Sequence, residues 1–143
     1  MLFNFYEEME KEAEHGEIKR GEKSRAQEIY DRFIEEVQLH YTRERDIKFY
    51  ADKLCISPKY LSQVVRKVSG SFANDHIRNY VISEAKALIL SRKFTISQIT
   101  DFLHFNTLSF FTKYFKKATG MSPRQFQLNN REEKEETGNK DTL

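Results

Sequence analysis

The middle of this chain is written twice. Leu61, Val64, Val65 and Val68 recur fifty positions later as Phe111, Tyr114, Phe115 and Ala118. Each set has the spacing i, i+3, i+4, i+7 that lines one face of a helix. Gly70 and Gly120 follow at the matching place, and glycine is the residue that most readily ends a helix in a left-handed turn. Further upstream the offset is 49: Tyr50 pairs with Ile99, Ala51 with Thr100, Leu54 with Leu103 and Ile56 with Phe105. The second turn therefore holds one extra residue. Ser57 is a good N-cap, and Pro58 suits the first helical position, where its missing N–H has no partner to lose. Thr95 with Gln98 forms a capping box at the start of the second copy. Each copy reads as two short helices joined by a tight turn, a helix-turn-helix.

The rest of the chain agrees with an all-α fold. Only 5 glycines and 2 prolines occur in 143 residues, and strand-like alternation is absent. Leu2, Tyr6, Met9 and Ala13 form a stripe against an acidic face, so residues 1–23 read as an amphipathic N-terminal extension. Ser24 with Gln27 predicts a capping box that opens a helix carrying Ile29, Phe33, Ile34 and Val37 and ending near His40. From Asn129 onward no apolar residue appears until Leu143, and a tail of Glu, Lys, Asn and Thr is expected to stay flexible over 130–143.

The formal net charge of +2 hides a strong partition. Residues 1–46 carry 8 basic and 13 acidic side chains, residues 47–128 carry 13 and 4, and residues 129–143 carry 3 and 5. A net +9 centre between acidic ends is what a polyanion-binding domain requires, because each cation set against a phosphate releases condensed counterions. The outward positions sharpen the point. On the second helix of the first copy they are Lys59, Ser62, Gln63, Arg66 and Lys67; on its counterpart they are Leu108, Ser109, Thr112, Lys113, Lys116 and Lys117. Neither set contains an acid, whereas an ordinary solvated face mixes signs to gain i,i+4 pairs. Lys, Gln, Ser and Thr near a helix N-terminus are also types that reach base edges in the major groove.

Several functions are set aside by the same residues. The four histidines, His15, His40, His76 and His104, have no ligand spacing with one another or with Cys55, so no metal is expected. No arrangement suggests a nucleophile, base and orienter, and no Gly-rich loop cradles a phosphate, so neither an enzyme nor a cofactor is expected. The single cysteine and the lack of an export signal predict a reducing, cytoplasmic setting, and no apolar run approaches the length of a membrane span. Cys55 reads as a small half-buried filler in the first turn. Phe102, Phe105, Phe110, Phe111 and Phe115 read as core rather than as a stacking platform for single strands. For Leu108 two readings stay open: contact with a thymine methyl, or a place tucked under the turn.

At this point the chain resembles the AraC/XylS family of bacterial transcription regulators, over roughly Gln27 to Leu128. The first copy matches in Tyr50-Ala51-Asp52-Lys53-Leu54, Ile56-Ser57-Pro58-Lys59-Tyr60-Leu61-Ser62 and Gly70. The second matches in Thr95-Ile96-Ser97-Gln98-Ile99, Phe105 and the run from Ser109 to Pro123, whose Phe-Lys-Lys-x-x-Gly-x-Ser-Pro string is the most specific part. The resemblance implies about seven helices: a helix-turn-helix at about 47–70, a linker helix at about 74–91, a second helix-turn-helix at about 95–120 and a closing helix at about 123–129, within a DNA-binding domain of residues 24–128. It implies base reading by Lys59, Ser62 and Gln63 in the first unit and by Leu108, Ser109, Thr112 and Lys113 in the second. Ser57, Arg66, Lys67, Thr107, Lys116 and Lys117 would then hold phosphates. The closing helix, capped by Ser122 with Pro123 and Gln125, would pack Phe126 on the second unit. The chain departs from the family pattern at His104, where glycine is usual, at Thr100, where alanine is usual, and at Val81, where many members carry arginine.

The implied partner is double-stranded DNA. A linker of about 18 residues at ~1.5 Å per residue spans roughly 27 Å, against ~34 Å between successive major-groove faces, which predicts a bent site of about two turns. The chain reads as the output domain of a longer regulator whose sensing part precedes Met1, with self-association through that part or through residues 1–14; a free-standing regulator remains open. The competing reading is a helical adaptor that contacts RNA polymerase without reading DNA. Steep salt dependence separates the two.

Overall fold

The computed structural model describes the backbone of residues 20–140 and the side chains of residues 25–131, and the stripe of residues 1–14 lies outside them. Among the described residues the chain forms seven helices and no strand: α1 (Arg20–His40), α2 (Ile47–Lys53), α3 (Pro58–Ser69), α4 (Ala73–Ser91), α5 (Ile96–Phe102), α6 (Leu108–Thr119) and α7 (Pro123–Lys140). They divide into two compact units, the first running to Tyr80 and the second starting at Val81, so α4 contributes to both.

Local chemistry explains most of the helix ends. The Asp46 carboxylate accepts from the Lys48 N–H at 3.1 Å and starts α2. Thr95 and Gln98 form the expected reciprocal box, with Thr95 Oγ1 accepting at 3.1 Å and Gln98 Oε1 accepting at 2.9 Å. Ser122 and Gln125 repeat it at α7, at 3.2 and 2.9 Å. Two ends differ from the sequence expectation. The first helix begins at Arg20, so Ser24 lies inside it, and Gln27 donates to Asp31 at 2.9 Å, one turn on. The closing helix does not stop at 129 but runs to Lys140, through residues expected to form a flexible tail. Arg131 to Glu136 are good helix formers, which favours continuation of the helix beyond the turns that Ser122 caps.

The turns between α2 and α3 and between α5 and α6 are Schellman motifs. In the first, the Cys55 N–H donates to Asp52 O at 3.2 Å and the Ile56 N–H to Ala51 O at 3.0 Å; in the second, His104 donates to Asp101 O at 3.1 Å and Phe105 to Thr100 O at 3.1 Å. The motif demands a left-handed residue at its bend, and the chain supplies Cys55 at φ 56° and His104 at φ 57° where glycine would be unstrained. Cys55 is exposed rather than half-buried, because the bend turns its Cβ outward. The extra residue of the second turn is the exposed Asn106, between Phe105 and the cap Thr107.

Each unit has its own oily seam. In the first, Phe33 and Val37 of α1, Tyr50 and Ala51 of α2, Leu61 and Val65 of α3, and Ala73 and Ile77 of α4 are buried. Phe33 meets Tyr50 edge-on at 5.7 Å, and the Tyr50 hydroxyl donates to Glu44 O at 2.6 Å. Burial pushes the Tyr50 phenol well above its ordinary pKa, with Glu44 and Glu36 adding to the shift. In the second unit, Val81, Ile82, Ala85 and Ile89 of α4, Ile99 of α5 and its C-cap Leu103, and Phe111 and Phe115 of α6 are buried around Phe105. Phe105 packs on Phe111 and Tyr114 at 5.1 Å each, and Phe115 on Phe126 at 5.6 Å.

The departures at Thr100 and Val81 sit easily in this core. The Thr100 hydroxyl donates to Ile96 O at 2.9 Å, which satisfies it one turn back, and Val81 is fully buried. Three expected core residues lie elsewhere. Phe102 and Phe110 are each 53% exposed, since each precedes a buried residue and therefore points about 100° away from it. Ala118 is exposed as well, and its counterpart Val68 is only half-buried, because the seam ends before the last turn of either helix.

Candidate nucleic-acid interface

The two helices that carry the acid-free faces, α3 and α6, are local copies of one another. Each has 12 residues. Ser57 Oγ accepts from the Tyr60 N–H at 3.1 Å, and Thr107 Oγ1 accepts from the Phe110 N–H at 3.0 Å. Each ends at a left-handed glycine, Gly70 at φ 75° and Gly120 at φ 84°, whose N–H returns to Arg66 O and Lys116 O. A hydroxyl four residues from the main-chain acceptor locks each end: Ser69 donates to Val65 O at 2.6 Å and Thr119 to Phe115 O at 2.8 Å. The capped, closed helix holds its buried row inward, which forces the remaining positions outward.

On α3 the outward row is Lys59, Ser62, Arg66 and Lys67, all exposed, with Gln63 half-buried. Two of these differ from a plain outward display. The Gln63 Oε1 atom is buried and has no hydrogen-bond partner. The Arg66 guanidinium folds back, donating to Gly70 O and stacking 4.4 Å over the exposed Phe72 ring. Ser57 is half-buried at its cap.

On α6 the residues Thr107, Leu108, Ser109, Lys113, Lys116 and Lys117 are exposed and Thr112 is half-buried. Leu108 is 46% exposed, so it is not tucked under the turn. Helices α3 and α6 contain no Asp or Glu at any position, inward or outward. Nothing but positive charge and neutral polar or apolar groups faces out from either. An exposed polar residue that the sequence pattern does not single out is Asn106, beside the Thr107 cap; its signal is the change of repeat offset from 49 to 50 across the second turn.

No group of three or more His, Cys, Asp or Glu side chains that could hold a metal occurs among the described residues. None of their helices is long and apolar enough to cross a membrane.

Comparison with known proteins places this geometry. A family model described as a helix-turn-helix domain matches residues 50–129. The HTH-type transcriptional regulator YobQ of Bacillus subtilis is 31% identical over 91 residues, which cover 64% of this chain and 38% of that protein. The arabinose operon regulatory protein of Escherichia coli is 32% identical over 82 residues, covering 57% of this chain and 28% of that protein. The matched stretch thus covers well under half the length of these relatives. Among solved structures, the C-terminal domain of AraT, a response regulator from Geobacillus stearothermophilus, superposes with a TM-score of 0.66 at 27% identity over 71% of this chain and 84% of that one. The C-terminal domain of the two-component response regulator yesN from Fusobacterium nucleatum gives 0.61 at 27% identity, covering 72% of this chain and 98% of that one. With two capped helix-turn-helix units, one linker helix and a family match across both, the chain belongs to the AraC-type helix-turn-helix family of transcription regulators.

Proposed function

We propose that this chain is the sequence-specific, double-stranded-DNA-binding module of a transcription regulator, reading two major-groove segments with α3 and α6 and catalysing no reaction. The observation that carries the reading is the acid-free composition of two equivalently capped helices, in a region of net +9 flanked by acidic ends. Lys59, Ser62 and Gln63 meet base edges in one segment, and Leu108, Ser109, Thr112 and Lys113 in the other. Ser57, Lys67, Thr107, Lys116 and Lys117 hold phosphates, as does Arg66 once it exchanges the Gly70 carbonyl for a phosphate oxygen. Asn106 joins this second group through its place beside the helix α6 cap. The module serves as the output part of a longer regulator, in keeping with the greater length of its relatives and with structural neighbours that are C-terminal domains.

Selection of bound sequences from a random duplex pool tests the proposal, followed by titration of the selected site at increasing salt. The affinity is expected to fall by orders of magnitude between low and moderate salt, with a log–log slope of about −0.9 per phosphate contact. Lys67→Ala and Lys117→Ala should each weaken all duplexes alike and flatten that slope by about one contact. A pool that yields no enriched sequence, or binding indifferent to salt, would refute the reading.

A further inference from the structure

Leu108 is the odd residue of the candidate interface. It is the first residue of α6, one position past the Thr107 cap, and it keeps 46% of its surface exposed while Phe111 and Phe115 of the same helix are fully buried. Its counterpart in the first unit is Pro58, which has a local reason to be there: its ring presets the helical φ, and its missing N–H costs nothing at N1. Leucine has no such advantage at a helix start. One turn further along the same flank lies Thr112, half-buried, with a γ-methyl of its own.

Residues in the first turn of a reading helix are those that approach base edges. Leucine carries neither donor nor acceptor, so it cannot read the hydrogen-bond code of the groove. Against guanine O6 and N7, adenine N7 and N6, or cytosine N4, it would strip water from a polar atom and return no bond. The one apolar feature on the major-groove edges of the four bases is the 5-methyl group of thymine.

We propose that Leu108 reads the 5-methyl group of a thymine in the segment bound by α6, so that one base pair there is specified by apolar contact and by exclusion of polar edges. The inference rests on the DNA-binding reading above. It makes the two readers chemically unequal: Lys59 and Gln63 recognise hydrogen-bonding groups in the first segment, whereas the second depends on a methyl at one step.

The test uses the full chain and the duplex recovered by selection. Each thymine of the second segment is replaced in turn by deoxyuridine, which removes the methyl and nothing else. At one position the wild-type chain should lose about fourfold in affinity, the worth of one buried methyl-sized group. Leu108→Ala should bind the thymine and deoxyuridine duplexes equally, while Leu108→Met should keep the preference. Placing 5-methylcytosine at that position should recover part of the binding lost with cytosine. Wild-type indifference to the methyl at every thymine of the segment would overturn the assignment, as would a Leu108→Ala chain that still penalises deoxyuridine. A selection that enriches no site sinks the DNA-binding reading and this inference together; an enriched but methyl-blind site sinks only the inference. Because Leu108 lies on the surface, unchanged circular dichroism of the variants confirms that the fold is intact.

Discussion

Replacing Gln63 by methionine sets stability against reading at a single atom. Gln63 stands in the outward row of α3, yet its Oε1 is buried without a partner. A buried acceptor left unsatisfied costs about 1–3 kcal/mol. Methionine has nearly the same length and flexibility and no polar atom, so Gln63→Met removes that cost while keeping most of the packing. The first unit's described part spans about 60 residues, a size for which 1 kcal/mol moves Tm by about 4–8 °C. Thermal unfolding followed by circular dichroism should therefore show Gln63→Met melting several degrees above the wild type. The same variant should bind the selected site about 5- to 150-fold more weakly, the 1–3 kcal/mol of a good base contact, with affinity for unrelated duplexes nearly unchanged. A residue that weakens the free fold and is kept for its ligand must show both effects with opposite sign. A variant melting at or below the wild type would show that the amide is satisfied in solution and that no stability is being sacrificed. Unchanged specific binding would remove Gln63 from the reading surface.

Two further outcomes follow from backbone and burial. Cys55→Gly and His104→Gly should each stabilise their unit by up to about 1 kcal/mol, because each relieves a Cβ held at positive φ in a Schellman turn, whereas His104→Val should destabilise it; urea unfolding midpoints decide. The third concerns pH. The folded phenol of Tyr50 is held above its ordinary value of 10.0, so its contribution is intact below about pH 10 and is lost as pH rises beyond it, by up to about 1.4 kcal/mol per unit. Tyr50→Phe should cost about 1 kcal/mol at neutral pH, through the lost bond to Glu44 O, and should flatten the alkaline limb of the stability curve. Equal alkaline slopes for the two chains would contradict the burial argument.

Much of the fold was legible because it is local chemistry repeated. The capping boxes at Thr95 and Ser122, the cap at Ser57, and the glycine ends at Gly70 and Gly120 depend on residues within four positions of one another, and short-range hydrogen bonding is readable in one dimension. The offset change across the second turn likewise revealed an inserted residue, now Asn106. The helix start at Ser24 was misread because a Ser-x-x-Gln pattern is permitted within a helix as well as at its edge.

What the order of residues determined by itself is the existence of two helix-turn-helix units, their inner stripes and the absence of acids from α3 and α6. Tertiary structure alone decided that α4 divides its burial between both units, that Phe102, Phe110 and Leu108 stay exposed, that Arg66 folds onto Gly70 and Phe72, and that the Gln63 carbonyl oxygen is buried. The reason is one of range: capping and periodicity are settled by neighbours along the chain, whereas burial depends on which distant segments come to lie against a side chain.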